Sequence, residues 1–224
     1  MKKKAFAVLG LGRFGMGVAD GLMERGAEVL VADKNRRIIE QNAHKYTQAV
    51  IADLADVDEI KELGLGNMDV VIVSMAQDLE ASIMCVMVAK ENGVHRIIAK
   101  AENKRKGEIL KKVGATQVIY PERESGIRTA FQLMSRDILQ FFDLSSDLVF
   151  VEMEPRKEWD GKKISDLELR SKYGINVIAI RRGEKVQTVI NLDTVIRKEE
   201  PLLTVISKEH LEKLELNTDR KSVV

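Results

Sequence analysis

Two folds in series are expected: a doubly wound parallel α/β sheet over residues 1–121, then a small α+β unit. Three observations lead there. Short Val/Ile/Ala runs alternate with longer segments of helical spacing as far as Tyr120. The first run passes directly into a glycine-rich turn, and the alternation stops at Pro121. Continuous apolar runs, not in-and-out alternation, mark strands covered on both faces of a parallel sheet.

The expected strands are Ala5–Gly10, Glu28–Asp33, Gln48–Asp53, Asp69–Met75, Arg96–Ala101 and Gln117–Tyr120. Helical spacing fills 14–25, 36–45, 56–63, 78–92 and 103–113, with Gly26, Gly64, Gly93 and Gly114 at helix ends, where a left-handed residue suits the exit. Strand and helix in strict alternation give right-handed crossovers and a sheet wound in both directions.

From Glu122 to Asp143 the spacing predicts one long helix. Ile127, Ala130, Phe131, Met134, Ile138, Phe141 and Phe142 form a single apolar stripe, so 122–144 reads as a crossover helix that packs on its own sheet or docks on a second subunit. Residues 145–217 then read as strand Asp147–Glu154, helix Ser165–Lys172, strands Ile175–Arg182 and Lys185–Ile190 about a turn at Gly183, strand Leu202–Ser207, and helix Lys208–Leu216. So small a unit favours dimerisation. Residues 218–224 read as a tail.

Composition narrows the function. Lys and Arg number 36 against 35 Asp and Glu, for a net charge of +1, which disfavours a general nucleic-acid binder. Charges interrupt every apolar run well short of the ~18 residues a membrane span requires. The Lys-rich start reaches Gly10 and Arg13 too soon for a secretory signal. The single cysteine, Cys85, cannot form an internal disulfide, which fits the reducing cytosol.

The glycine-rich turn is Gly10-Leu11-Gly12-Arg13-Phe14-Gly15. It follows a strand, opens a helix, and is trailed 18 residues later by Asp33 at the end of the second strand. That context makes it a phosphate cradle: Gly10 for the tight turn, Gly12 for close backbone approach, Gly15 for helix packing, with helix-start amides facing an anion. Asp33 suits ribose hydroxyls and repels a 2′-phosphate. Asp53 either reaches the adenine or caps the helix at 56. Arg13, between the second and third glycines, suits the terminal phosphate of ADP or ATP. Lys100 either reaches the same crevice or leaves the sheet for solvent.

Catalytic chemistry is missing. His44, His95 and His210 lie away from the carboxyl ends of the parallel strands, and there is no Tyr-x-x-x-Lys pair, no Gly-x-Ser-x-Gly elbow and no Walker lysine. Cys85 sits in an apolar helical run and reads as core. No Cys/His cluster has zinc spacing. The reading is a binding protein, not an enzyme; its rivals are a small NAD-dependent oxidoreductase and an NADH-sensing regulator, although no segment resembles a helix-turn-helix.

The string Gly-Leu-Gly-Arg-Phe-Gly at 10–15, Asp33 with Asn35, Asp53, Lys100, Pro121-Glu122 and the helix beyond it resemble the regulator of K+ conductance (RCK) family, the cytosolic gating subunits of Ktr and Trk potassium-uptake systems. The resemblance runs over 4–216 and implies a Rossmann-like N-terminal domain and an RCK C-terminal domain. It further implies a homodimer within an octameric ring on the inner face of the plasma membrane, docked on a separate K+-translocating subunit. ATP or ADP (with NAD or NADH as alternatives) would bind Gly10, Gly12, Arg13, Phe14, Gly15, Asp33, Asn35, Asp53, Met75 and Lys100. Glu122 would help hold Mg2+ or another cation at the dimer interface. Cyclic di-AMP would bind between second domains at Ile164, Arg170, Asn176 and Val177, although Asn191-Leu192 stands where some members carry a proline.

Overall fold

The computed structural model of the chain describes residues 3–134, 138–145 and 147–219. It divides into two compact units, Met1–Glu124 and Ser125–Val224.

The first unit is a parallel sheet of β1 (Ala5–Leu9), β2 (Glu28–Asp33), β3 (Gln48–Ile51), β4 (Val70–Val73), β5 (Ile97–Lys100) and β6 (Gln117–Ile119), in the order β3-β2-β1-β4-β5-β6. Helices α1 (Arg13–Glu24), α2 (Arg36–Asn42), α3 (Val57–Glu62), α4 (Leu79–Glu91) and α5 (Lys104–Val113) make the connections. Successive β1 residues point to opposite faces, yet Ala7, Val8 and Leu9 are all fully buried. Ala7 and Leu9 join one core cluster with Val71 and Val73, and Val8 joins another with Val29 and Val31. Helices therefore cover both faces, which is why the strands lack polar alternation. Pairing of β1 with both β2 and β4 sets the point where the winding reverses, between the ends of β1 and β4.

Helix starts follow side-chain capping: Asn35, Asp56, Asp78 and Asn103 accept backbone N–H bonds at the starts of α2, α3, α4 and α5. The expected helix 36–45 is shorter than read: α2 stops at Asn42 and Ala43–Lys45 forms a 3-10 turn.

Helix α6 (Pro121–Met134) crosses the division between the units. The expected helix 122–144 needs correction here. Ile138–Asp143 is a strand, β7, paired antiparallel with β8 (Leu148–Met153). Its register shifts between Ile138 and Gln140, so Ile138 and Phe141, three residues apart, both enter the second core. A bulge of this kind imitates helical spacing. The side chains of Phe131 and Met134 lie outside the described residues; Ile127 is exposed.

The second unit is an antiparallel sheet, β10-β9-β11-β8-β7, with β9 (Asn176–Arg182), β10 (Lys185–Gln187) and β11 (Leu202–Ser207). The expected helix 165–172 is broken into α7 (Ile164–Leu167) and α8 (Leu169–Tyr173) by Glu168, whose φ of 46° is left-handed. Strand β10 ends at Gln187, before the expected Ile190. Trp159 is almost fully buried and packs against Tyr173, with the Arg156 guanidinium over both rings. Helix α9 (Lys208–Asp219) runs past the expected Leu216; residues 220–224 of the expected tail lie outside the described residues.

Candidate functional site

The site grows from the end of β1. Gly10 takes φ 92°, which a side chain would strain, and a Cβ there would also meet Met75 at 2.5 Å. Its N–H donates to Ala32 (2.8 Å), and its carbonyl accepts from the Ser74 hydroxyl (2.5 Å). A Cβ on Gly15 would run into the Gly10 carbonyl and the same hydroxyl, so α1 can approach β1 only with glycine there. The roles read from the sequence for Gly10 and Gly15 are thus visible as backbone geometry.

Asp33 holds this loop. One carboxylate oxygen accepts the Leu11 N–H at 2.7 Å and the other the Asn35 N–H at 2.8 Å. Asn35 in turn caps α2 through a 3.3 Å bond from the Ile38 N–H. Helix α1 differs from α2 to α5: Gly12 is its N-cap and no side chain bonds to its first turn. Its leading amides keep their donor capacity beside a cavity of about 510 Å3.

That cavity is lined by Gly10, Gly12, Asp33, Met75, Lys100 and Glu122 among the expected residues. Ser74, Gln77, Asp78 and Glu102 also line it and were not foreseen. They come from the segment after β4 and the end of β5, neighbours of β1 only because of strand order. The signal that could have found them is the rule that ligands sit at the carboxyl ends of strands flanking the reversal point.

Arg13, Phe14, Gly15, Asn35 and Asp53 are not part of the lining. Arg13 is the first residue of α1, exposed and without an ion pair among the described residues. Phe14 is half-buried with the Lys100 ammonium 5.6 Å from its ring centre. Asp53 accepts from the Ala55 N–H at 3.1 Å; the helix at 56 is capped by Asp56, so the capping alternative for Asp53 does not hold.

Lys100 lies deep, its side chain 13% exposed, and its Nζ is 2.5 Å from Oε1 of Glu122, which is 71% exposed. The hydrogen bond from the ammonium holds the Glu122 carboxyl below the usual carboxylate range. A second rim pair joins Lys106 and Glu102 at 2.6 Å. Among the described residues no three His, Cys, Asp or Glu side chains gather as metal ligands, and Glu122 already faces an ammonium. Cys85 lies on the buried side of α4, and burial, with the charge of Asp78 adding to it, pushes its thiol up to about 12.

In the second unit, Ile164, Arg170, Asn176 and Val177 share one cavity of about 870 Å3 with Ile190 and Leu192. The left-handed break at Glu168 turns α8 so that Arg170 lies on the same cavity as Asn176 and Val177 of β9. Among the described residues no helix is long and apolar enough to cross a membrane.

Comparison with known proteins matches this architecture domain by domain. The TrkA-N domain family covers residues 6–121 and the TrkA-C domain family 148–217. The chain is 39% identical to Ktr system potassium uptake protein C of Bacillus subtilis over 91% of its own length and 92% of the relative's. It is 33% identical to Ktr system potassium uptake protein A of Vibrio alginolyticus, covering 93% of this chain and 94% of that protein. Among solved structures, the GsuK channel superposes with a TM-score of 0.69 at 18% identity, covering 96% of this chain but 39% of the channel. The GsuK channel bound to NAD gives 0.66 at 19%, covering 96% and 39%. Two domain matches in the expected order and relatives matched end to end lead to one statement: the chain belongs to the TrkA-N/TrkA-C family of regulators of K+ conductance, the regulatory, non-enzymatic component of Ktr- and Trk-type potassium uptake.

Proposed function

We propose that this chain senses adenine nucleotides and gates potassium flux through a separate membrane subunit. The observation that carries the reading is the uncapped start of α1, beside a cavity that also holds the buried Lys100. Free N–H donors, the positive end of the helix dipole and an ammonium together favour a multiply charged phosphate. Asp33 shares the cavity, where its carboxylate suits ribose hydroxyls and disfavours a 2′-phosphate. Arg13, free at the helix start, can turn toward a terminal phosphate, which favours ATP or ADP over NAD.

ATP and ADP shift the gate only if the two states bind them differently. The assembly consistent with this role is a homodimer built into an octameric ring at the inner face of the membrane. Ile127 and Leu133 of α6, 47% and 82% exposed, offer part of the apolar contact for a second copy. Calorimetric titration of the full chain with ATP, ADP, NAD and NADH tests the reading: ATP or ADP binds, and Arg13→Ala weakens ATP more than adenosine. Equal affinity for all four ligands, or equal losses in the variant, overturns it.

A second ligand is favoured by the other cavity, where all four residues expected to hold cyclic di-AMP meet. Arg170 supplies charge for a phosphate, Asn176 an amide for a base edge, and Ile164 and Val177 apolar surface. Titration with cyclic di-AMP, repeated with Arg170→Ala, tests this independently of the first domain.

A further inference from the structure

We infer that Arg156 is a positioning residue for the second cavity: stacked on Tyr173 and hydrogen-bonded to α9, it fixes the short helix that presents Arg170, without lining the cavity itself. The inference rests on the cyclic di-AMP binding proposed above and assigns the residue that holds that site in shape.

Helix α8 cannot hold its own place. It has five residues, far fewer than the ~12–15 an isolated helix requires, and lies between two left-handed residues, Glu168 and Gly174, with no side-chain cap at its start. Its position is therefore set by what packs on it. Leu169 at one end is buried in the second core. Tyr173 at the other packs on Trp159, with ring centres 5.5 Å apart and planes tilted by 57°. The Arg156 guanidinium lies 5.5 Å from the Tyr173 ring centre and 5.6 Å from that of Trp159. Its Nη2 donates to the Leu214 carbonyl of α9 at 3.1 Å. A lysine, with a compact charge on a flexible stem, does not cover both rings and reach the carbonyl as a planar guanidinium does.

Helix α9 backs the same turn a second time, since a Cβ on Gly174 would come within 2.6 Å of the His210 ring. Arg170 and Ser171 before this anchor, and Ile175, Asn176 and Val177 after it, line the cavity, whereas Arg156 and Tyr173 do not. The segment 170–177 thus meets the cavity with some of its residues and α9 or its clamp with others. Arg170 is exposed, so packing of its own side chain does not fix it. Holding α8 in place before a ligand arrives removes an ordering cost from binding.

The test is calorimetric titration of the full chain with cyclic di-AMP and, separately, ATP. It compares wild type, Arg156→Lys, Tyr173→Leu, Arg170→Ala and the double variant of Arg156→Lys with Arg170→Ala. Emission of Trp159, the only tryptophan in the sequence, checks that the second core of each variant stays folded. Arg156→Lys and Tyr173→Leu should each weaken cyclic di-AMP about three- to tenfold, the range expected for a partly buried cation–π contact, and leave ATP unchanged. Most of the Arg156→Lys loss should vanish in the Arg170→Ala background, because Arg156 acts through Arg170; a general effect on folding would give the same loss in both backgrounds. Unchanged cyclic di-AMP binding by folded Arg156→Lys, an equal loss for ATP, or full additivity with Arg170→Ala overturns the inference while leaving both ligand readings standing. If wild type binds no cyclic di-AMP, the second-ligand reading fails and this inference with it.

Discussion

The Ser74 hydroxyl donates to the Gly10 carbonyl across 2.5 Å, tying the end of β4 to the turn after β1. Ser74 is nearly buried, and its N–H also reaches back, donating to the Leu9 carbonyl. The loop is thus held from the side by a neighbouring strand. Ser74→Ala should cost about 1 kcal/mol of stability, the usual net worth of such a bond. It should weaken ATP, ADP and adenosine by a similar factor, because it moves the whole cradle; denaturant melts and titrations read both effects.

Gly15→Ala should be more damaging. The added methyl meets the backbone of Gly10, which cannot swing aside as a side chain would. A loss of about 1–3 kcal/mol is expected from overpacking, with nucleotide binding abolished. Gly17, where a Cβ would meet nothing within 4 Å, is the control: Gly17→Ala should leave stability and binding intact or slightly improved.

The Lys100–Glu122 pair makes stability depend on acid pH. Folding lowers the Glu122 pKa, so its contribution is complete above the ordinary unfolded carboxylate value and is lost as pH falls through the lowered folded value. Glu122 is largely exposed, so the pair stabilises by no more than about 1 kcal/mol. Urea midpoints of wild type and Glu122→Gln should differ at pH 7 and converge as the pH falls through the lowered folded value.

Cys85 should be inert to thiol reagents in the folded protein. It is fully buried, and a thiol titrating near 12 presents almost no thiolate at neutral pH. Alkylation followed by mass spectrometry should show modification only in denaturant. Rapid labelling of the native chain would contradict its place in the core.

The second copy proposed over α6 would make Leu133 a sensitive position, since it is 82% exposed in the single chain. Burying a leucine is worth about 1.5–3 kcal/mol, so Leu133→Lys should weaken self-association by tenfold or more. Light scattering that finds a 25.2 kDa monomer for wild type would overturn the dimer.

Local chemistry was enough for much of the first unit. Runs such as Val70–Val73 could only be covered strands, and the glycines at 10 and 15 announced a turn that side chains would block. The four residues expected at the second cavity also come together, because Ile164 to Val177 is one short stretch of chain. Where tertiary pairing intervened, the reading of the chain went astray. Ile138–Phe142 carries helical spacing, yet a bulge against β8 puts Ile138 and Phe141 on one face of a strand.

What the amino-acid order determined alone was the alternation of strands and helices in the first unit and the glycine turn after β1, since each depends on neighbours a few residues apart. What only the folded chain decided was which distant residues meet. Ser74 lies 64 positions from Gly10 and Glu122 lies 22 from Lys100. Those contacts follow from β1 pairing with β4 and from α6 starting beside the end of β5. No local pattern encodes them, because strand order is chosen by the burial of the whole sheet.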